Sequence, residues 1–277
     1  MPELPEIQAL PERLHEFVGG EPLTAAEPLQ FSALKTADPP AATLAGRSAA
    51  GVTRRGKFLV FDFEGPRILV HLGQGGRVEV EQPPKRTRPK GAIVRMSFGS
   101  SRAVLVREYG TQRKAGWWVL PAGDEGPLAR LGPEPYSEEF ALWVMESNDR
   151  RRLHTSLRDQ RTVAGIGRGY ADDILNRAGL SPYATLVSMS REDRARLMET
   201  VRAVLSDALA KERTRTGGLP TKMGGRFAVH GRSGEPCPRC GTQLRRISYE
   251  DYEIVYCTTC QTDGKALADR RLSRLIR

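Results

Sequence analysis

The sequence predicts a multidomain α+β protein: an antiparallel β domain carrying an N-terminal helix, a helical domain, and a C-terminal β-hairpin built around cysteines. Three observations lead there. Short alternating segments run from about Lys57 to Pro121. Helical periodicity takes over after a stretch rich in proline and glycine. Two Cys-x-x-Cys pairs stand near the end. The expected boundaries are 1–122, a linker at 123–135, then 136–222 and 223–277.

The opening, MPELPEIQALPERLHEFVGG, places Ile7, Leu10, Leu14 and Phe17 at helical spacing. Pro5 suits a first helical turn and Gly19-Gly20 a stop. Pro11 does not fit, because an interior proline costs a helix about 3 kcal/mol. A kink or an early end is expected there. The β region follows as GKFLVFDF, RILVHL, RVEVEQ, AIVRMSF, RAVLVRE and GWWVL, separated by the turn signals Glu64-Gly65-Pro66, Gly73-Gln74-Gly75-Gly76 and Gly99-Ser100-Ser101. Short strands at this spacing indicate an antiparallel sandwich or barrel.

Beyond the linker PAGDEGPLARLGPEP, Ser137 caps a helix whose first residues, Glu138 and Glu139, favour its positive end. Helices follow around Trp143, around Leu157, from Tyr170 to Arg177, and from Arg191 to about Lys211. The last opens on a Ser190/Asp193 capping box and carries the apolar stripe Leu197, Val201, Val204, Leu205 and Leu209, a core face. A flexible basic stretch, RTRTGGLPTKMGG, leads to the cysteines.

Charge narrows the partner. At pH 7 the chain carries a net charge of +10 with a pI near 9.8. Residues 211–277 hold 14 Lys/Arg against 7 Asp/Glu, so most of the excess lies in the last quarter. Such a surface recruits polyanions by releasing counterions. No apolar run reaches the roughly 18 residues of a membrane span, and no signal segment opens the chain. A cytoplasmic protein with no membrane partner is expected, and there cysteines serve metals more often than disulfides.

Cys237, Cys240, Cys257 and Cys260 form two pairs separated by 16 residues. The intervening RRISYEDYEIVY alternates well enough for a hairpin that brings the pairs together. Four thiolates point to one structural Zn²⁺, with no open position for catalysis, over an iron cluster. A second informative stretch, LRDQRTVAGIGRGYADDIL, reads as helix, glycine turn, helix. Gly165 and Gly167 leave backbone donors at a helix start, an arrangement that suits a phosphate. The same turn also suits a tight helical hairpin with no ligand.

In order, MPELPE, RRGK, HLG, LGPEP, DQ…VAGIG…YA and VHGRSGEPC-x2-C…C-x2-CQ resemble the formamidopyrimidine-DNA glycosylase/endonuclease VIII family along almost the whole chain. The resemblance implies a β-sandwich, a helix–two-turn–helix domain and a zinc ribbon, with damaged double-stranded DNA held in a positive cleft. It implies a bifunctional glycosylase and abasic-site lyase of base excision repair, monomeric, nucleoid-associated and free of small-molecule cofactors. By the same resemblance, Pro2 becomes the N-terminal amine once Met1 is removed and acts as the nucleophile. A free α-amino group titrates near 7.7–8.0, so a useful fraction is neutral. Glu3 is the general acid on the sugar ring oxygen, Glu6 stands behind it, and Lys57 contacts the lesion's phosphate.

His71, Gln74, Arg107, Tyr109, His154, Gly165, Gly167, Arg168, Arg245 and Arg246 are the expected DNA contacts. Several depart from the family's pattern. Gln74 stands where the 8-oxoguanine branch has a wedge methionine, and Glu108-Tyr109 where it has Arg-Phe. Arg168 replaces an asparagine, His154 a lysine and Tyr252 the ribbon arginine, for which Arg245 or Arg246 would compensate. The glutamine and tyrosine wedges favour oxidised pyrimidines and abasic sites. The rival reading is a non-catalytic protein that binds damaged DNA or abasic sites. An RNA-binding zinc ribbon leaves the N-terminus unexplained.

Overall fold

The computed structural model describes residues 1–110, 112–219, 225–249 and 252–268. They fall into two compact units: 1–130 with 209–219, and 131–208 with 225–268. Residues 209–219, the last turn of the long helix and the segment after it, therefore group with the N-terminal unit. Part of the basic stretch expected to be flexible, 220–224, and the basic tail 269–277 lie outside the described residues.

The N-terminal unit begins with α1 (Leu4–Val18), whose Ile7, Leu10, Leu14 and Val18 are all fully buried. The helix ends at Gly19, as its spacing predicts, but it continues past Pro11. This corrects the expectation of an early end. The missing backbone bond is outweighed by an apolar face buried against the strands Gly51–Arg55, Phe58–Asp62 and Arg102–Glu108, where each large side chain contributes about 1.5–3 kcal/mol. Eight strands follow: β1 (Leu23–Pro28), β2 (Gly51–Arg55), β3 (Phe58–Asp62), β4 (Arg67–His71), β5 (Gly76–Glu81), β6 (Ala92–Phe98), β7 (Arg102–Glu108) and β8 (Gly116–Leu120). They form two four-stranded antiparallel sheets, ordered β1-β6-β7-β5 and β2-β3-β4-β8. Phe61 and Trp117 from one sheet meet Met96, Phe98 and Val104 from the other in a single core.

Six of these strands match the alternating segments of the sequence. The other two, β1 and β2, precede the region that reads as β. Strand β1, LTAAEP, is alanine-rich and bulged against β6, so it has little β-branched character to announce it. In β2 the residue that helps seat it is Arg54, whose Nε donates to Gln8 Oε1 of α1 at 2.7 Å.

The second unit starts with α2 (Glu138–Glu146), where Ser137 Oγ accepts the Phe140 N–H at 3.2 Å. Then come α3 (Leu153–Arg158), α4 (Arg168–Ala178) and α5 (Arg191–Arg213), the last capped by Ser190 Oγ accepting from Asp193 N. Helices α3 and α4 with the turn between them make the helix–two-turn–helix. The ribbon is the hairpin β9 (Arg245–Ser248) and β10 (Glu253–Tyr256), followed by the short α6 (Thr258–Thr262). Among the described residues, no helix is long and apolar enough to cross a membrane.

Candidate functional site

The mouth of α1 concentrates ionisable groups in a place that normally excludes them. Pro2 is buried, Glu3 is 3% exposed and Glu6 is fully buried, while Lys57, in the turn between β2 and β3, is 4% exposed. Glu6 Oε2 accepts the backbone N–H of Glu3 at 2.6 Å, which pins the residue next to Pro2 at the helix start. Burying charge carries a large penalty unless it is paired or used, so this concentration marks a built site.

Lys57 precedes Phe58, which pairs with His71 across β3 and β4, their rings 4.8 Å apart. Burial, and then the charge of Lys57, lowers the His71 pKa from 6.5 to about 4. The imidazole is therefore neutral at pH 7. Its Nδ1 accepts the Gly73 N–H at 3.3 Å, so Nε2 carries the proton. His71 thus stands behind the Gln74 turn and holds its first glycine.

Gln74 is exposed at the tip of that turn. The Tyr109 N–H donates to Gly75 O at 2.9 Å, so the two expected wedge loops are joined through their backbones. A Cβ on Gly75 would overlap Tyr109 O, which is why glycine is needed there. Arg107 donates from Nη1 to Glu79 Oε1 at 2.9 Å, and its guanidinium lies 4.9 Å from the Tyr109 ring centre. Tyr109 OH donates to the same Glu79 oxygen at 2.7 Å. Glu108, expected beside the wedge in place of an arginine, turns inward and is 8% exposed. Its Oε1 accepts the N–H groups of Lys114 and Ala115, at 2.8 and 3.1 Å. It closes a loop rather than facing outward.

In the second unit the glycine turn is held by one side chain. Gln160 Oε1 accepts Gly165 N–H at 2.9 Å and its Nε2 donates to Ile166 O at 2.6 Å. Gly165 has φ +99° and its donor is committed to Gln160, so its part is the turn itself. Gly167 is the N-cap of α4 and Arg168 its first residue. His154, expected at the DNA surface, is 1% exposed. Its place in the core corrects that expectation: Nε2 lies 3.2 Å from Asp172 Oδ1, and an imidazole fits there where a lysine head group would need water. Arg245 and Arg246 are exposed on β9, Arg246 3.5 Å from Glu253.

Motif letters that carry no assigned role in the sequence prove to be the joints of this unit. Asp172 Oδ2 is 2.6 Å from His230 Nδ1 and accepts Val255 N–H at 3.2 Å. Asp173 accepts the N–H groups of Ala228, Val229 and His230, at 2.7 to 3.2 Å. The pairing of YADD with VHG in one motif order is the available signal. Nothing in the sequence points to what Tyr252 does. Its ring stacks on Tyr249 at 4.4 Å and lies under two guanidiniums, Arg158 at 4.1 Å and Arg168 at 5.0 Å.

The four cysteine sulfurs lie within 4.8 Å of one another. Burial, and then the neighbouring sulfurs of Cys240 and Cys257, pushes the Cys260 thiol up to about 12. Hydrogen bonds from Thr242 bring Cys240 down to about 6. Four thiolates at such spacing repel one another without a cation among them, and the all-sulfur donor set fits a tetrahedral soft metal. Asn176 Nδ2 approaches Cys237 Sγ at 3.7 Å and Cys260 N–H approaches Cys257 Sγ at 3.5 Å, as donors around a metal–thiolate centre do.

Comparison with known proteins agrees along the chain. Residues 1–118 match the formamidopyrimidine-DNA glycosylase N-terminal domain and residues 131–217 the formamidopyrimidine-DNA glycosylase H2TH domain. The formamidopyrimidine-DNA glycosylase of Thermus thermophilus is 34% identical over 284 residues, covering 95% of this chain and all of the relative. That of Symbiobacterium thermophilum is 36% identical over 290 residues, covering 98% and 93%. An uncharacterized formamidopyrimidine-DNA glycosylase-like protein of Mycobacterium tuberculosis is 43% identical over 160 residues, 56% of this chain and 99% of its own length. The fold is that of the Lactococcus lactis Fpg in complex with abasic-site DNA, with a TM-score of 0.81 at 23% identity over 94% of this chain and 99% of that one. Both domains matched in order, with relatives similar over nearly their full length, show that the chain belongs to the formamidopyrimidine-DNA glycosylase/endonuclease VIII family.

Proposed function

We propose that the chain is a DNA glycosylase for damaged bases that also cleaves the strand at abasic sites, through a Schiff base on Pro2. The observation that carries this is the α1 mouth: Pro2, Glu3 and Glu6 buried together, with Glu6 holding the Glu3 backbone at 2.6 Å. Removal of Met1 leaves Pro2 a secondary amine. Its nitrogen attacks the sugar C1′, the bond to the base breaks, and the base leaves with a proton. Glu3 protonates the ring oxygen, and the opened sugar becomes an iminium on Pro2. Loss of a C2′ proton then expels the 3′ phosphate; a second elimination expels the 5′ phosphate, and water releases the proline. Lys57 contributes positive charge to the phosphate at this step. The cysteine cluster holds one Zn²⁺, which fixes the ribbon and takes no part in the reaction.

Borohydride trapping on duplexes carrying an abasic site, 8-oxoguanine or an oxidised pyrimidine tests this reading. A covalent adduct mapping to the processed N-terminus is expected, and the altered wedge favours the last of these bases and the abasic site. An adduct is not expected from protein that keeps Met1, in which the proline nitrogen is an amide. Selective binding with no adduct on any lesion would establish a damage-binding protein instead.

A further inference from the structure

We propose that the loop joining β5 to β6, together with the start of the loop after β7, forms a second phosphate-binding surface for a DNA backbone, apart from the α1 mouth. Residues 82–91, QPPKRTRPKG, expose Lys85, Arg86, Arg88 and Lys90 and include no acid. Residues 109–115 also lack an acid and expose Arg113 and Lys114. The two segments meet around a cavity of about 260 Å³ lined by Lys90, Arg107 and Arg113 with Gln30, Tyr109 and Glu108, whose carboxylate is turned inward onto the N–H groups of Lys114 and Ala115. Among the described residues, no side chain of Lys85, Arg86, Arg88 or Lys90 has an ion-pair or hydrogen-bond partner.

A basic loop is ordinarily just a solvated face. This one is held from below. Arg95 and Glu81, with side chains 6% and 2% exposed, pair at 2.9 Å under the loop. Both then act on its backbone: Glu81 Oε2 accepts Lys85 N–H at 3.2 Å, and Arg95 Nη2 donates to Thr87 O at 2.8 Å. Arg107 Nη2 donates to Lys90 O at 3.0 Å, and the Glu108 N–H donates to Gly91 O at 2.8 Å. Pro83, Pro84 and Pro89 restrict what backbone freedom remains. A buried ion pair is a weak source of stability, and ordering unpaired like charges opposes folding. Both features make sense together if the loop's shape is kept for a repeating anion. A phosphodiester backbone supplies that repeat, and its charge density rewards each cation through counterion release. The choice of DNA over an acidic protein rests on the function proposed above.

The test measures binding of the full-length protein to an unmodified duplex, by fluorescence anisotropy between roughly 50 and 200 mM salt. Replacing Lys85, Arg86 and Arg88 together by alanine should make the slope of log K against log salt shallower by about 2.7, which is about 0.9 for each phosphate no longer neutralised. The charge-keeping variant Lys85→Arg/Arg86→Lys/Arg88→Lys should keep the wild-type slope. Borohydride adduct yield at saturating protein should be the same in all three. A triple alanine variant with an unchanged slope, or equal losses in both triple variants, overturns the surface while leaving the glycosylase reading intact. Absence of any adduct from wild type would instead sink the function, whatever the slopes. If the triple alanine variant does not fold, Arg88→Ala alone should shift the slope by about 0.9, and no shift overturns the proposal.

Discussion

Acidification should act on the N-terminal unit through His71. The folded protein holds this imidazole neutral, with a pKa lowered from 6.5 to about 4 by burial and by Lys57. A lowered histidine pKa means the unfolded chain binds the proton more readily. Its contribution is therefore fully present above about pH 6.5 and is lost as the pH falls toward 4. Holding the imidazole neutral over that interval is worth about 3 kcal/mol, an order-of-magnitude figure and a large part of a domain's net stability. Protonation also removes the acceptor for Gly73 N–H, so the Gln74 turn loosens together with the sheet. Urea unfolding followed by tryptophan fluorescence suits the measurement, because Trp118 lies 5.5 Å from the Phe58 ring that contacts His71. Wild type should lose stability steeply between pH 6.5 and 4, and His71→Gln should lose less, so the two curves converge in acid. Parallel curves, or an imidazole resonance titrating above pH 6, would refute the reasoning.

Other outcomes follow from individual interactions. Glu3→Gln should lower base excision about 10²–10⁴-fold with little change in affinity; matched losses in both would make Glu3 a positioning residue. Cys237→Ser should release the metal, detectable by elemental analysis, and unfold the ribbon while the β-sandwich keeps its melting transition; a wild type found without metal would contradict the assignment. Gly75→Ala should destabilise the N-terminal unit by about 1–3 kcal/mol, because the new methyl overlaps Tyr109 O and parts the two loops. An unchanged melt for that variant would mean the turn is not joined to Tyr109 as described.

Short β-prone runs between turn signals, a capping serine and paired cysteines suffice for the elements they mark. The six strands of Lys57–Pro121, the Ser137 cap and the cysteine hairpin all carry a local pattern with a direct physical cause. Elements held by tertiary packing are not legible in the letters. Strand β1 is alanine-rich and bulged, and α1 passes through a proline whose local cost exceeds any local gain. The same division applies to the site. The spacing of Glu3 and Glu6 in one helical turn is visible in the sequence, whereas the burial of Lys57 beside His71 depends on strands that meet only in the fold. Glu108 and His154 show the limit most clearly: both read as surface residues, and both are interior groups, Glu108 accepting from neighbouring backbone and His154 packed in the core near Asp172.

His154 and Tyr252, both expected to depart from the family's pattern, lie next to each other. Their rings stand nearly parallel, 6.4 Å apart with an interplanar angle of 5°, so each shapes the space available to the other. An arginine at 252 would bring a positive charge to the place where Arg158 and Arg168 already converge, and like charges so close repel. A tyrosine instead offers its ring to both guanidiniums, each such interaction worth about 0.5–1 kcal/mol at a partly exposed position. Tyr249 extends the stack behind it, and its hydroxyl accepts from Arg152 Nη1 at 3.1 Å. The cation missing from the ribbon is thus matched by cations on the helical elements, at the end of α3 and the start of α4. His154, buried with its Nε2 3.2 Å from Asp172 Oδ1, fills the core where a lysine would have had to reach outward.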